Sequence, residues 1–284
     1  TEDTKIYLFC VLQTRGNRQG RRVMNLSRWF GKKDIVLDCY TSNPFAYNLA
    51  RINYGYHYIP EWWKKTPKEI SPDVHTNDPH RRTIKKCPGL INYYKKSIVI
   101  PLWTDLKLIL YAKGEDSSFE WITSHDEFFA TGHDQIQFEE FAGQEGFNLK
   151  IPSPWLVHCR ESVEFMTSQP TWSQRNSMFD LQLLPGILEF KTQSNTQLNY
   201  FFERREQRVE LNLEPLTPMM MLHPLTDRKV VLKHHYVHDN DKFFKMMATD
   251  FGMFNDKKNR SNIYKKKRNL IDKADKLNKE EWKF

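Results

Sequence analysis

Three groups of residues in this 284-residue chain have types and spacings that bear on chemistry. The first is Gly132-His133-Asp134 with Glu139 and Glu140, followed by the turn Leu184-Pro185-Gly186 and then Glu189. Metal-dependent chemistry in the mouth of a barrel needs three or four neutral imidazoles and carboxylates converging on one ion. Here the ligand set is short. No H-x-H occurs, and Glu189 stands where a further histidine is needed. The pairs His125-Asp126 and His133-Asp134 are adjacent, so on a strand they point to opposite faces. His133, Glu139 and Glu189 are therefore candidate pocket residues for a metal-dependent reaction, while the expectation is no bound metal and no cofactor. The second group is His234-His235 with His238-Asp239. Strand alternation puts His234 and Tyr236 on one face and His235 and Val237 on the other, which suits half-exposed histidines ending a strand better than a metal site. No G-x-S-x-G, Walker loop, G-x-G-x-x-G or H-E-x-x-H is present, so nucleophilic hydrolysis, phosphate-loop nucleotide use and zinc proteolysis lack motif support.

The third group is Lys265-Lys266-Lys267-Arg268, a set of cations suited to phosphate or to an acidic protein surface. Net charge is +8, from 43 Lys and Arg against 35 Asp and Glu. Residues 257–284 hold 11 basic and four acidic residues, which leaves 32 basic and 31 acidic groups elsewhere. The body is balanced and the tail is basic, so overall charge gives no warrant for a nucleic-acid-binding core. The Arg-rich loop at 16–22 has no interleaved rings to stack bases. In the tail, Ile263, Leu270, Ala274 and Leu277 share one helical face, and a helix of that length is marginal alone in water. A docking element is expected there, ordered by an acidic, partly apolar protein surface, with nucleic acid as the alternative partner.

Positioning these groups falls to strands. Aromatic residues make up 14% of the chain, a composition that favours strands and bulky sandwich cores. Residues 5–13 and 35–41 read as strands, and Ser42-Asn43-Pro44 starts a short helix. Residues 57–86 contain four prolines, which exclude a long helix, together with Trp62-Trp63, which argue for an ordered wrapping loop. A short helix is expected over 88–96. From Ser97 onward, strands are expected at 98–100, 106–111, 119–122, 135–138, 147–151, 155–159, 163–166, 187–192, 197–202, 209–213 and 229–237, the spacing of a sandwich or barrel. Helical periodicity returns with Phe243, Met247, Phe251 and Phe254. Cys10, Cys39, Cys87 and Cys159 have no C-x-x-C pair and read as small buried hydrophobes in a reducing compartment. No apolar run approaches the length of a membrane span, and Thr1-Glu2-Asp3-Thr4 has no signal-peptide character.

The fold expected is mainly β. An antiparallel β-sandwich or cupin-like jelly roll over 97–238 would follow an N-terminal α/β edge and wrapping segment over 1–96 and precede C-terminal helices with a basic tail over 239–284. The strings Pro60-Glu-Trp-Trp-Lys64, Thr83-Ile-Lys-Lys-Cys-Pro-Gly89 and Ile100-Pro-Leu-Trp-Thr-Asp105 are followed by Ser153-Pro-Trp155, Leu184-Pro-Gly186, Pro215-Leu216 and Pro224-Leu225. In this order they resemble an uncharacterised protein family encoded by tailed bacteriophages, especially marine ones, across residues 35–237. The resemblance implies a viral origin and a mostly β fold, and it brings no catalytic residue with it. The function expected is accordingly non-enzymatic: a viral protein acting by contact with itself, a virion protein or a host protein, in the host cytoplasm or the virion and not at a membrane. The alternative is a cupin-like metal-dependent enzyme of oxygenase or isomerase type.

Overall fold

The computed structural model describes residues 33–77, 79–125, 130–133, 137, 139–142, 146–173 and 181–238. The chain divides into two compact units, 1–33 and 34–284, and the architecture below belongs to the second. The expected strand at 5–13, positions 135, 136 and 138 of the expected strand at 135–138, the C-terminal helices and Lys265–Arg268 lie outside the described residues.

In chain order the elements are β1 (Ile35–Thr41), α1 (Pro44–Asn48), β2 (Asn53–Tyr54), α2 (Glu61–Lys65), α3 (Pro88–Lys96), β3 (Ile98–Pro101), β4 (Leu106–Leu110) and β5 (Phe119–Ile122). Then come β6 (Thr131–Gly132), α4 (Glu139–Ala142), β7 (Gly146–Ile151), β8 (Leu156–Cys159), β9 (Glu164–Ser168), β10 (Gln182–Leu183) and β11 (Ile187–Glu189). The last four are β12 (Leu198–Glu203), β13 (Val209–Leu213), β14 (Pro218–Pro224) and β15 (Val230–Tyr236). Four sheets result, ordered β15-β1-β8, β10-β12-β7-β6, β11-β9-β14-β3-β2 and β13-β4-β5. The molecule is mainly β and sandwich-like, with its sheets gathered on one apolar core.

Local chemistry explains the elements. Alternation is clean in β4 and β12, whose Leu106, Leu108 and Leu110, and Leu198, Tyr200 and Phe202, are all buried. The Asn43 Oδ1 accepts from the Ala46 N–H at 2.8 Å and Pro44 opens α1, the N-terminal arrangement read from Ser42-Asn43-Pro44. α3 likewise opens on Pro88 and ends in Lys95 and Lys96, cations placed at the negative end of the helix dipole. The Pro-rich segment contains the one-turn helix α2 as well as loop. Arg81, at φ 50°, donates to the carbonyls of Ile70 and Val74 and holds the loop closed.

Two features depart from the sequence reading. β1 lies between two strands of the later body: it pairs parallel with β15, Ile35 opposite Val230, and antiparallel with β8, Leu37 opposite Cys159. The other strand pairs are antiparallel. The second departure is β14, Pro-Met-Met-Met-Leu-His-Pro, which no alternation announces. The main core covers one face and α3 the other, so Met219, Met220, Met221 and Leu222 are all buried. A strand apolar on both faces loses its period-2 signal. Its prolines sit at the strand ends, where a missing N–H is tolerated.

The core contains Trp155, Phe165, Phe190, Tyr200 and Phe202. Each ring contributes about 1.5–3 kcal/mol on burial, and the polar handles are satisfied. The Trp155 indole N–H donates to the Ala50 carbonyl at 3.2 Å and the Tyr200 hydroxyl to the Met219 carbonyl at 2.5 Å. Gly55 marks the closest backbone approach, since a Cβ there would stand 2.1 Å from the Ser97 Oγ. Cys39 and Cys159 are buried, Cys87 is half-buried, and none of the three forms a disulfide.

Candidate functional site

The five-stranded sheet positions the candidate site. Its inner face, carrying Phe165, Leu222, Met220, Ile98 and Ile100, belongs to the main core. On its outer face, Val99 and Met221 are covered by Leu90 and Tyr94 of α3, with Tyr58, Trp63 and Tyr93 packed around them. One column further along, Ile187 of β11 stands opposite Met166 of β9, and Met166 stands opposite His223 of β14. α3 reaches the half-buried His223 through Tyr93, while Ile187 is 60% and Met166 43% exposed.

Aromatic residues continue the surface. Tyr93 lies with its ring 5.1 Å from that of His223, and its hydroxyl donates to the Gln169 carbonyl at 2.7 Å. Trp62 of α2 and Trp172 are 6.2 Å apart between ring centroids, each 43% exposed, and the Trp62 indole N–H donates to the Trp172 carbonyl at 2.9 Å. Below them Tyr94 and Ser173 share a 2.9 Å hydrogen bond, and Ser173 donates onward to the Tyr58 carbonyl. The tryptophans are therefore held in place, not merely exposed.

One pair on this face has nucleophile–base geometry. The Ser168 Oγ and His223 Nε2 are 2.8 Å apart, and burial lowers the His223 pKa, which favours the neutral imidazole. A working nucleophile also needs an orienting acid on the other ring nitrogen, and among the described residues no carboxylate takes that place. The pair is a diagonal cross-strand hydrogen bond.

The residues singled out from sequence fall elsewhere. His133 follows β6, and its Nδ1 lies 3.1 Å from the Gln137 Oε1. Glu139 opens α4. Glu189 ends β11 in a different sheet from β6, and its carboxylate accepts from Ser162 and Thr192. Among the described residues no three His, Cys, Asp or Glu side chains gather into a metal-binding group. The densest histidine region is tied into structure. His234 Nε2 is 2.8 Å from the Ile52 carbonyl oxygen, and burial lowers its pKa. His235 lies 2.9 Å from the Asp38 Oδ1 and stacks on Tyr40 at 4.6 Å. Asp38 stands opposite His158 on β8, so three of the strongest polar groups share one face of the β15-β1-β8 sheet. Asp38, Tyr40 and His158 are all buried, which closes this cluster to a substrate.

Sequence reasoning missed the Met166–Ile187 row because the two residues become neighbours only through strand register. Trp62 carried the one available signal, as a tryptophan in a proline-rich segment. Among the described residues no helix is long and apolar enough to cross a membrane. No protein-family model, no curated protein and no solved structure matches the chain.

Proposed function

We propose that this chain is a non-enzymatic viral protein of tailed-phage origin that works by protein contact, as a virion component or a binder of a host factor, on a cupin-like jelly-roll body. The observation that carries the reading is a set of exposed apolar side chains: Met166 and Ile187 on the outer face of the five-stranded sheet, and the ring pair of Trp62 from α2 and Trp172 from the segment after β9. Tryptophan and tyrosine concentrate binding energy in interface centres, and methionine is enriched there. Hydrogen bonds and ring contacts hold the two tryptophans in place before any partner arrives, which lowers the ordering cost of association. The basic residues Lys265, Lys266, Lys267 and Arg268 supply a second, electrostatic contact for an acidic partner or a polyanion.

The metal-dependent alternative has less to draw on, because the Glu189 carboxylate is engaged by Ser162 and Thr192 and the His133 Nδ1 faces Gln137. Mass spectrometry of purified phage particles tests the virion version. Structural copy number in the particle is the expected result for a virion component, and reproducible absence eliminates that version and leaves the host-factor version.

A further inference from the structure

A second region, remote in sequence from the α3-capped face, is built from charge. A cleft of about 380 Å³ is lined by Lys113, Phe201, Phe202, Arg204, Arg205 and Glu206 among others. That volume lies toward the small end of small-molecule sites, about 300–1,000 Å³. Its rim joins the β4–β5 turn to the β12–β13 connection through several ties. The Lys113 N–H donates to the Arg205 carbonyl at 2.9 Å, and the Lys113 ammonium pairs with Glu206 at 3.2 Å. Arg208 Nε donates to both Glu115 carboxylate oxygens, at 2.9 and 3.1 Å. The two loops thus form one preorganised wall.

Arg204 differs from its neighbours. Its guanidinium donates to the Glu115 carbonyl at 2.8 Å and to the Ser118 hydroxyl at 3.1 Å, both neutral acceptors. The remaining contact is a ring: the guanidinium carbon sits 4.7 Å from the Phe147 centroid, and Phe147 stacks on Phe202 at 5.8 Å. Its Nε is buried with no acceptor. Lys113 and Arg208 each pair with a carboxylate, whereas no carboxylate among the described residues pairs with Arg204. The buried Nε without an acceptor is a polar group that calls for an explanation, and an anion in the cleft would supply the counter-charge. Among the described lining residues, Lys113, Arg204 and Arg205 stand with Glu203 and Glu206.

The geometry points to a binding site for a small aromatic monocarboxylate, its carboxylate neutralising Arg204 and its ring resting on Phe201. One carboxylate supplies the single counter-charge that Arg204 lacks among the described residues. A polyphosphate would bring several charges and leave most of them uncompensated. This site stands independently of the contact face, since the two share no residue.

The test is calorimetric titration of the full chain at low ionic strength with N-acetyl-phenylalanine as the probe, against its uncharged amide and against acetate. Binding of the acid at least tenfold tighter than either control is the expected result. Arg204→Met should weaken it tenfold or more, and Glu206→Gln should tighten it severalfold by removing a negative charge from the lining and leaving Lys113 unneutralised. Lys113→Gln should act in the opposite direction to Glu206→Gln, and this pair carries the test if Arg204→Met does not fold. Equal binding of acid and amide, no saturation by the acid, or a folded Arg204→Met variant that binds like the parent overturns the proposal. So does the absence of opposite signs for Glu206→Gln and Lys113→Gln.

Discussion

Two halves of one sheet face make an informative contrast. On the outer face of the five-stranded sheet, Val99 and Met221 lie under α3 with 1% and 0% exposure, while Met166 and Ile187, on adjoining strands, stand open at 43% and 60%. All four side chains are apolar. The two pairs match in character, and their cover differs: among the described residues α3 packs on Val99 and Met221 and not on Met166 or Ile187.

The contrast can be broken most forcefully from its covered side. Met221→Ala removes a fully buried side chain clamped between α3 and two neighbouring strands, and should cost about 2–5 kcal/mol in urea unfolding. A loss of under 1 kcal/mol would mean that α3 does not depend on the sheet for its seat.

Acid should expose the boundary between the halves. Burial lowers the pKa of both His223 and His234 from the ordinary 6.5. The unfolded chain then takes up protons first as pH falls, so stability present above about pH 6.5 is lost progressively below it. His223→Gln, which keeps a hydrogen-bonding side chain beside Ser168, should flatten part of that decline, with the His234 contribution remaining. An unchanged pH profile in the variant would contradict this assignment.

Smaller effects belong to the tryptophans. Trp62→Ala removes the indole hydrogen bond to Trp172 and one ring of the pair, and a cost of about 1 kcal/mol is expected. At the bottom of the scale, the double variant Met166→Ser, Ile187→Ser should shift stability by no more than about 0.5 kcal/mol per site, as exposed substitutions do. Destabilisation by several kcal/mol would show that this row is packed and not open.

How legible this was in the sequence depends on whether the cause is local. β1, β13 and the Asn43 cap of α1 were readable because alternation and cap chemistry lie within a few residues. β14 was not, because burial on both faces erases the alternation and methionine carries little strand preference. The parallel pairing of β1 with β15 joins segments almost two hundred residues apart, which no local pattern encodes. The same limit hid the candidate face: Met166 and Ile187 are ordinary side chains until register places them together. Arg204 was likewise only one arginine in an Arg-rich connection until its neutral partners were visible. His133 and Glu189 had chemical types suited to a site, but type alone did not bring them into one sheet.

The central claim is that the open half of the sheet face is covered by a partner. Site-specific photo-crosslinking in the cells that naturally make this chain tests it most directly, with the crosslinker at position 166 and, for comparison, at exposed Glu120 on β5. The account predicts a discrete crosslinked partner from position 166 and not from position 120, lost when Trp62 and Trp172 are both replaced by alanine. Identical crosslinking from the two positions, or none from position 166, would contradict it.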